Sequence, residues 1–542
     1  MTSQTSIELT ELTEPQPVAK AFSTRRPSTI PSSLQLPIED DEATLHQLER
    51  SITVTSSSKT AVIITSVTLV TAISTLLNGL TTVALPTMAR ELSIPESLQL
   101  WPTSMQALTT GCTLLLSGTI ADALGPRFMY LVGTVLQAGT ILGCGLSRTA
   151  AQLIIFRGLS GIAVSLCLPS AVSIITGSFV GKRRDFAFAA MGGGQPVGFS
   201  VGLALGGVLT DTIGWRWGFY LAAVLDAVVF GIALWGLPKE IDDRGEGGLG
   251  WREKVGRLRT EIDWVGAVIA STSLAMLSYA FAAITGSASD IRQPATLSFL
   301  IVALVLVPVF IFWVGRQERL GRPAIIPNSL WRNKIFTTIC LAVFLTWGSF
   351  NALETILTFY FQRVQGLSAI QSSIRFIPAP ISGAISNIAM GLLVHRVKAN
   401  YLVLGGCALS VAAPLAMAFA KPTSNYWESA FLANVFNPTG ADSLFTISNL
   451  LITSVFPGKT QALAGGVFNT ISQVGKAVGL ALVAVIASSV TANSAFVDQQ
   501  SPDALMEGYR ATFWFCFASV VVTVVLCAWG LRQIGKVGHK RD

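Results

Sequence analysis

Long apolar stretches separated by short polar segments make up most of the chain. A helix needs about 20 apolar residues to cross a bilayer. The stretches are apolar on all sides and twice the length of a barrel strand, so they predict transmembrane α-helices. The fourteen predicted spans are 61–85, 98–120, 128–147, 151–173, 186–209, 216–237, 263–285, 296–315, 336–360, 370–394, 399–420, 427–453, 461–490 and 511–532.

The chain also contains an internal repeat. Residues 175–205 align without a gap with residues 452–482, and 13 of 31 positions are identical. The match pairs the fifth span with the thirteenth. It therefore predicts an all-α fold of two pseudo-symmetric six-helix bundles with the seventh and eighth helices inserted between them. Parallel repeats of this kind are typical of transporters whose substrate site lies between the halves, near the midplane of the membrane.

These patterns divide the chain into seven regions. The first is rich in Ser, Thr, Pro and Glu, lacks apolar periodicity and is expected to be a disordered tail. The regions are the tail 1–59, the first bundle 60–237, a loop 238–262, the inserted helices 263–315, a loop 316–335, the second bundle 336–532 and a tail 533–542.

Lysine and arginine are unevenly distributed among the loops. If the N-terminal tail is cytosolic, the loops and tail on its side hold about 22 basic residues and the opposite loops about 7. This bias follows the positive-inside rule. We therefore expect both termini in the cytosol, with the protein in the cell membrane or in a vacuolar or other internal membrane.

The composition excludes several classes of protein. Only 12% of residues are charged and 51% are hydrophobic, whereas soluble proteins carry about 25% charged residues. The net charge of +7 resides in the loops, so no nucleic-acid partner is expected. Seven cysteines lie in apolar runs and three histidines are scattered, which predicts no metal site and no cofactor.

The segment after the second span reads Gly118-Thr-Ile-Ala-Asp122-Ala-Leu-Gly125-Pro-Arg127. It resembles the signature Gly-x-x-x-Asp-x-x-Gly-Arg of the major facilitator superfamily, with the basic residue delayed by one position. In that family the loop latches the two halves together on the cytosolic side. We expect Gly125 to permit a tight turn and Asp122 to cap the following helix.

The fifth span carries glycine at regular intervals, at Gly198, Gly202, Gly206 and Gly207. This spacing provides a flat surface for close helix packing, and it resembles the antiporter motif of drug exporters. The proline of that motif is replaced here by Leu203, and Pro196 lies about two turns earlier.

The first span ends Leu77-Asn78 and then Val83-Ala-Leu-Pro86, which resembles fourteen-span drug:proton antiporters of the tetracycline-resistance-like branch found in fungi. Their acidic residue is replaced by Asn78. An offset of 276 between the halves places Glu354 opposite Asn78, so we expect the acidic function on the ninth span.

The resemblance covers residues from about 60 to 532. It implies a transporter rather than an enzyme, which acts as a monomer in the lipid bilayer and exports a small organic molecule such as a drug, toxin or secondary metabolite. Proton antiport by alternating access is the implied mechanism.

Few ionisable residues lie within the predicted spans. Each is costly in lipid and is therefore a functional candidate, and a carboxyl in a low-dielectric environment can exchange protons near neutral pH. The alternative for each is a structural ion pair, and for Arg157 a position near the membrane surface. The proton-coupling candidates in order of rank are Glu354, Asp442 and Asp226; the basic residues are Arg157, Arg375 and Lys476.

A cavity for a mid-sized organic ligand is expected to combine apolar walls with scattered amides. The candidates are Asn78, Gln106, Gln195, Trp347, Asn351, Asn387, Asn469 and Gln473.

Three other functions fit the pattern less well. The first is a proton-coupled importer on the same fold, of the siderophore type, which the glycine motif disfavours. A membrane-embedded enzyme would need clustered carboxylates or histidines, and a channel would need a filter loop or a ring of charges.

Overall fold

The structure, a computed structural model, describes residues 57–95, 98–179, 181–238, 242, 256, 258, 262–284, 293–394, 396–455, 458–532 and 534. These residues form sixteen α-helices, a short 3-10 helix (Asn328–Arg332) and a π-helical turn (Tyr360–Val364) that extends α9. The helices are α1 Ser57–Glu91, α2 Trp101–Leu124, α3 Pro126–Leu146, α4 Ala150–Ser178, α5 Gly181–Thr212, α6 Arg216–Gly236, α7 Trp264–Ile284, α8 Pro294–Arg319, α9 Lys334–Phe359, α10 Ala369–Phe376, α11 Pro378–Leu393, α12 Ala399–Ser410, α13 Ala412–Ala418, α14 Ala430–Val455, α15 Gly458–Ala492 and α16 Pro502–Gly530. Nearly all of the predicted tails 1–59 and 533–542, and most of the loop 238–262, lie outside the described residues.

Each predicted span coincides with a helix or with a pair of consecutive helices. Two spans are divided: α10 meets α11 at Pro378, and α12 meets α13 three residues before Pro414. Proline lacks the N–H that would continue the ladder of helical hydrogen bonds. The helix that contains the last predicted span, α16, begins before residue 511, at Pro502, where the Ser501 side chain accepts a hydrogen bond from the Ala504 N–H.

Eleven helical segments of the described chain are long and apolar enough to cross a membrane. The remaining predicted spans correspond to α5, α7 and α14, which are helical over 32, 21 and 26 residues. The protein is therefore an all-helical, multi-pass membrane protein.

The helices on either side of α7 and α8 have the same packing pattern. In the first set (α1–α6), α1 packs against α5 and α6, α4 against α2 and α3, and α3 against α6. In the second set (α9–α16), α9 packs against α15 and α16, α14 against α11 and α12, and α16 against α12 and α13. The repeat in the sequence thus corresponds to a repeat in the packing.

Glycines bring the first and fifth helices of each set into close contact. A Cβ atom on Gly198 would lie 2.1 Å from the Ala72 carbonyl oxygen, and one on Gly202 would lie 2.0 Å from that of Leu76. In the second set, a Cβ atom on Gly479 would lie 2.5 Å from the Gly348 Cα. Only glycine allows these backbones to approach so closely.

The two sets meet along two seams. At the first seam, α2 packs against α15, and α7 contacts both of these helices. At the second seam, α5 packs against α10 and α11. In the repeat, α2 is equivalent to α10 and α11, and α5 is equivalent to α15. Both seams therefore pair the same two kinds of helix, with the two sets exchanged, as expected for related halves.

The second seam is joined at one end, which we call the closed end. The Asp211 carboxylate at the end of α5 accepts hydrogen bonds from the backbone N–H groups of Ala369 (3.3 Å) and Ile370 (2.7 Å) at the start of α10. The Ser373 hydroxyl donates to the Leu203 carbonyl at 2.7 Å. Nearby, the Gln362 amide donates to the Val83 carbonyl at 2.8 Å and joins α1 to the π-helical turn.

The opposite ends of these helices are not packed in the same way. Open space surrounds the position of a Cβ atom on Gly192 and Gly193 of α5 and on Gly391 of α11. Because the cross-seam hydrogen bonds described above lie at the closed end and these glycines meet no neighbour, we call the opposite end of the seam the loose end.

Candidate functional site

Electrostatic interactions link four ionisable side chains, one from the first helix set and three from the second. The Lys476 ammonium on α15 interacts electrostatically with Glu354 on α9 and with Arg157 on α4, and Glu354 interacts with Asp442 on α14. Arg157, Glu354 and Lys476 are buried, with exposed fractions of 0%, 4% and 8%. Since an isolated charge is costly in a membrane, we treat these two cations and two acids as one charge cluster.

Arg157 belongs to this cluster and is fully buried within the protein. Its Nε–H donates to the Pro102 carbonyl at 3.0 Å, and its Nη1 and Nη2 have no hydrogen-bond partner among the described residues. One turn along α2, the Gln106 Oε1 is likewise buried without a described partner. The start of α2 thus places unsatisfied polar groups next to the charge cluster.

The Asp442 carboxyl is held by the neighbouring helix α11. A Cβ atom on Gly383 would lie 2.8 Å from the Asp442 Oδ2, so the glycine makes room for the carboxyl. Asn387 interacts with Asp442, donates to the Gly383 carbonyl at 3.1 Å and accepts a hydrogen bond from the Thr446 hydroxyl at 2.8 Å. Two predicted residues, Asn387 and Asp442, are therefore neighbours.

The second helix set supplies aromatic and amide groups near the charge cluster. The Trp347 ring lies 6.3 Å from that of Phe350 and 5.3 Å from that of Phe445. The Asn351 amide donates to the Trp347 carbonyl, and the Asn469 amide donates to the Gly465 carbonyl, both at 2.9 Å. Both amides therefore bond to the backbone of their own helix.

The other predicted cavity residues take different positions. Gln473 packs across the first seam, with its Cβ 3.2 Å from where a Gly111 Cβ would lie. Asn78 is half-buried, and its Oδ1 has no partner within the described chain. Gln195 is half-buried on α5, toward the loose end of the second seam.

The packing does not support the predicted pairing of Asn78 with Glu354. Gly202 and Gly479 are equivalent in the repeat, and they contact Leu76 and Gly348 respectively. The first and ninth helices are therefore related by an offset of 272, not 276, which places Phe350 opposite Asn78. Glu354 lies one turn further along its helix. Its assignment as the acidic residue therefore depends only on its place in the charge cluster.

Asp226 lies apart from the charge cluster. It is fully buried within the first helix set, where it interacts electrostatically with Tyr130 and Cys167. Gln137 also interacts with Asp226, but the Gln137 amide donates to the Ser74 hydroxyl at 3.1 Å. The structure thus separates the third-ranked acid from the other two.

Arg375 also lies apart, near the closed end. Its guanidinium is 5.5 Å from the Phe361 ring centroid and 5.4 Å from that of Tyr426, and it donates a hydrogen bond to the Gln365 side chain. The side chain is only half-buried. These contacts are typical of cation–π packing and do not place Arg375 in the charge cluster.

The latch motif forms a turn between α2 and α3 that is tied to the end of α6. Gly125 has a positive φ of 113°, a conformation that favours glycine. The Asp242 carboxylate, not Asp122, accepts hydrogen bonds from the Arg127 and Phe128 N–H groups at the start of α3. The Arg127 side chain donates to the carbonyls of Leu237 and Leu234.

Of the other motif glycines, Gly118 faces α4, where a Cβ atom would lie 3.6 Å from Pro169. Gly206 packs against Leu80 of α1, and Gly207 packs against Ser373 of α10. The glycine motif therefore serves both the interior of the first set and the second seam.

Sequence reasoning did not find the partners of two charged residues, Asp211 and Lys476. Asp211 follows the glycine motif, but its partner on α10 is 158 residues away. Lys476 replaces Phe199 in the repeat. The sequence placed Lys476 among the basic candidates, but it did not show that Lys476 interacts with Glu354 and Arg157.

Comparisons with known proteins agree with this architecture. Residues 67–480 match the Major Facilitator Superfamily. MFS-type transporter 1 of Pyricularia oryzae is 39% identical over 524 residues, which cover 89% of this chain and 85% of the relative. Efflux pump terJ of Aspergillus terreus is 24% identical over 418 residues, 76% of each chain.

The fold is also found among solved structures. The peptide transporter POT in complex with sulfate matches with a TM-score of 0.61 and 15% identity, over 87% of this chain and 96% of that one. Two helix sets with matched packing and the match over residues 67–480 lead to one conclusion: the chain belongs to the major facilitator superfamily and is a membrane transporter, not an enzyme.

Proposed function

We propose that the protein exports a small organic molecule in exchange for protons, by alternating access between the two helix sets. The observation that carries this proposal is the charge cluster of Arg157, Glu354, Asp442 and Lys476. Its members come from both sets, so a change in its charge can act on the way the sets pack. A drug, toxin or secondary metabolite is the proposed substrate class, and relatives named as efflux pumps support export.

The proposed architecture has fourteen membrane spans, formed by α1 to α9, the pairs α10–α11 and α12–α13, and α14 to α16. The basic loops place both termini in the cytosol. The closed end would then face away from the cytosol, and the loose end of the second seam would face it. We propose the cell membrane as the site of a monomeric pump, with an internal membrane as the alternative.

Glu354 is the proposed coupling residue, with Asp442 as a second acid. When Glu354 is ionised it attracts Lys476, and a proton on Glu354 abolishes this attraction. The charge of Lys476 would then act on Arg157 without the compensating acid. Proton binding and release thus change the electrostatic balance between the two sets, which is what a coupled transporter requires.

The test begins with metabolite profiles of cells that lack the gene, to find the compound that is retained. Glu354→Gln should then fail to restore export driven by a pH gradient, because glutamine cannot carry a proton. It should still allow exchange of the compound down its own gradient. Glu428→Gln, a change at an exposed loop position, is the matched control and should restore export.

Unchanged pH-driven export by Glu354→Gln would refute the coupling role. The same profiles test the direction of transport. If the deletion strain leaves more of a compound in the medium, instead of retaining it, the protein is an importer.

A further inference from the structure

A group of buried polar side chains lies inside the first helix set, apart from the charge cluster. Its centre is Asp226, which is 0% exposed and lies at the middle of α6. Because α6 packs against α3 and α1, the group is enclosed by helices of the same set. We call it the Asp226 site; its members are Ser66 and Ser74 of α1, Tyr130 and Gln137 of α3, Cys167 of α4 and Asp226 itself.

The hydroxyl protons of the Asp226 site are donated to groups other than the carboxyl. The Tyr130 O–H donates to the Ser66 carbonyl at 2.9 Å, so the Ser66 hydroxyl, 3.1 Å from the Tyr130 oxygen, is the donor in that second contact. The Ser74 hydroxyl donates to the Val70 carbonyl at 2.9 Å. The Ser74 oxygen can therefore only accept, and it does so from the Gln137 side-chain amide at 3.1 Å.

Three oxygen atoms of this site remain as acceptors without a donor. Both carboxyl oxygens of Asp226 and the Gln137 Oε1 are buried and have no hydrogen-bond partner among the described residues. The orientation of the Gln137 amide is fixed, because its oxygen in place of its nitrogen would meet the accepting oxygen of Ser74. Gln137 interacts with Asp226, but no hydrogen bond from it or from Cys167 reaches the carboxyl. Buried polar atoms normally have a hydrogen-bond partner, so the site needs a hydrogen between these acceptors.

The described helices around Asp226 present no positive charge to it. The ionisable groups that interact with it are Tyr130 of α3 and Cys167 of α4, and neither can carry a positive charge. The charged residues of α1, α3 and α5 lie near the ends of those helices, and α6 has only Arg216 besides Asp226, in its first turn. Arg157 of α4 belongs to the charge cluster. The carboxyl therefore has no cation with which to form an ion pair.

An ionised carboxylate in this site would lose its hydration and gain neither a cation nor a hydrogen bond, so the carboxyl is more stable with a proton. From these observations we propose that Asp226 is a proton-binding site in the folded protein at neutral pH, and that its O–H donates to the Gln137 Oε1. The donors then run in one direction, from Asp226 to Gln137, from Gln137 to Ser74 and from Ser74 to Val70. Asp226 is thus a positioning residue that joins α6 to α3 and, through Gln137, to α1.

The proton on Asp226 stays in place during transport. Glu354 can change the electrostatic balance between the sets because it interacts with Lys476, whereas Asp226 has no cation to attract or release. All members of the Asp226 site belong to the first set, so movement of one set against the other leaves the site unchanged. The inference goes beyond the proposed function, because it assigns Asp226 a bound proton and excludes it from the coupling path.

Infrared spectroscopy of the purified full chain tests for this proton directly. A protonated carboxyl has a C=O stretching band that is separate from the bands of an ionised carboxylate. At neutral pH, Asp226→Asn should remove one such band. Asp503→Asn, which replaces an exposed acid in the first turn of α16, should leave it. Loss of carboxylate intensity in Asp226→Asn, with no loss of a C=O band, would overturn the proposal.

Gln137→Leu provides a second variant, because it removes the proposed acceptor and keeps the acid. The C=O band of Asp226 should remain and shift, since its O–H loses its hydrogen-bond partner. A spectrum equal to that of the unmodified chain would show that Asp226 does not donate to Gln137, and the proposal would be wrong even if Asp226→Asn does not fold.

The dependence of stability on pH gives an independent measurement. In the unfolded chain Asp226 is exposed to water and ionised at neutral pH, so the folded protein holds one more proton at this site. Stability therefore falls as pH rises, and the site contributes about a tenfold increase in the unfolding equilibrium constant per pH unit. Asp226→Asn binds no proton in either state and should remove this contribution between about pH 6 and about pH 8. Asp503→Asn should not, and an equal pH dependence in Asp226→Asn and the unmodified chain would contradict the proposal.

Transport separates this inference from the coupling role of Glu354. Asp226→Asn should retain pH-driven export of the compound found by metabolite profiling, because its amide keeps the site neutral and donates in place of the O–H. Loss of that export by a folded Asp226→Asn chain would show that the Asp226 proton moves during transport, and would overturn the inference. Normal pH-driven export by Glu354→Gln would instead refute only the coupling proposal, since the infrared band of Asp226 does not depend on Glu354.

Discussion

The two hydrogen bonds that Asp211 accepts from α10 should stabilise the closed end of the second seam. An acid at this position neutralises the positive end of a helix and occupies N–H groups that no helical carbonyl reaches. Loss of such a cap typically costs about 0.5–2 kcal/mol. Asp211 is solvent-exposed, so the lower half of that range applies.

Asp211→Ala should therefore weaken the closed end by about 1 kcal/mol, which corresponds to a roughly fivefold change in its opening equilibrium. Asp211→Asn retains one acceptor oxygen and should have a smaller effect. A weak contact suits a transporter, because alternating access requires this end to open in each cycle. A contact worth much more would hold the transporter in one state.

Hydrogen exchange of the Ala369 and Ile370 amides reports directly on these bonds. Exchange should be about fivefold faster in Asp211→Ala than in the unmodified chain. Asp503→Ala removes an exposed acid from the first turn of α16 and should leave these two amides unchanged. Equal exchange in Asp211→Ala and the unmodified chain, or an equal increase in the Asp503 control, would refute the assignment.

Two further substitutions test the helix contacts. Gly202→Ala should destabilise the protein by about 1–3 kcal/mol, because the new Cβ would lie 2.0 Å from the Leu76 carbonyl oxygen and no side-chain rotation can relieve this clash. Thermal unfolding of the purified protein measures the loss of stability. Gly192→Ala, with open space at its Cβ position, should show no loss. Gly125→Ala should lower the free energy of unfolding by about 1–2 kcal/mol because of the positive φ at this position. The new Cβ would also lie 2.5 Å from the Asp242 Oδ1. A melting temperature equal to that of the unmodified chain would contradict this account.

The helices and their repeat could be predicted because they depend on local composition. Any apolar stretch of about 20 residues in lipid must satisfy its backbone hydrogen bonds internally, and a helix does so. Boundaries were less predictable where a side chain outside the apolar run caps the helix, as Ser501 does for α16.

The candidate site was predicted only in part. Burial in a membrane made Glu354, Asp442 and Arg157 conspicuous in sequence, since few charges occur in these spans. Sequence could not show that Asp226 lies apart from them, because the direction in which each helix presents its charge depends on its neighbours. The offset of 276 failed for the same reason: alignment in the fifth helix does not fix the register of the first.

By itself, the sequence determined the medium in which this protein folds, its helical spans, their orientation bias and their duplication, since each depends on hydropathy, charge or identity along the chain. The tertiary structure decided which charges meet, which end of the second seam is closed and which seam the inserted helices cover. Those features join residues as distant as Asp211 and Ile370, or Arg157 and Lys476. Contacts between helices set them, and in lipid such contacts depend on the detailed fit of small and polar side chains rather than on a hydrophobic pattern that can be read from sequence.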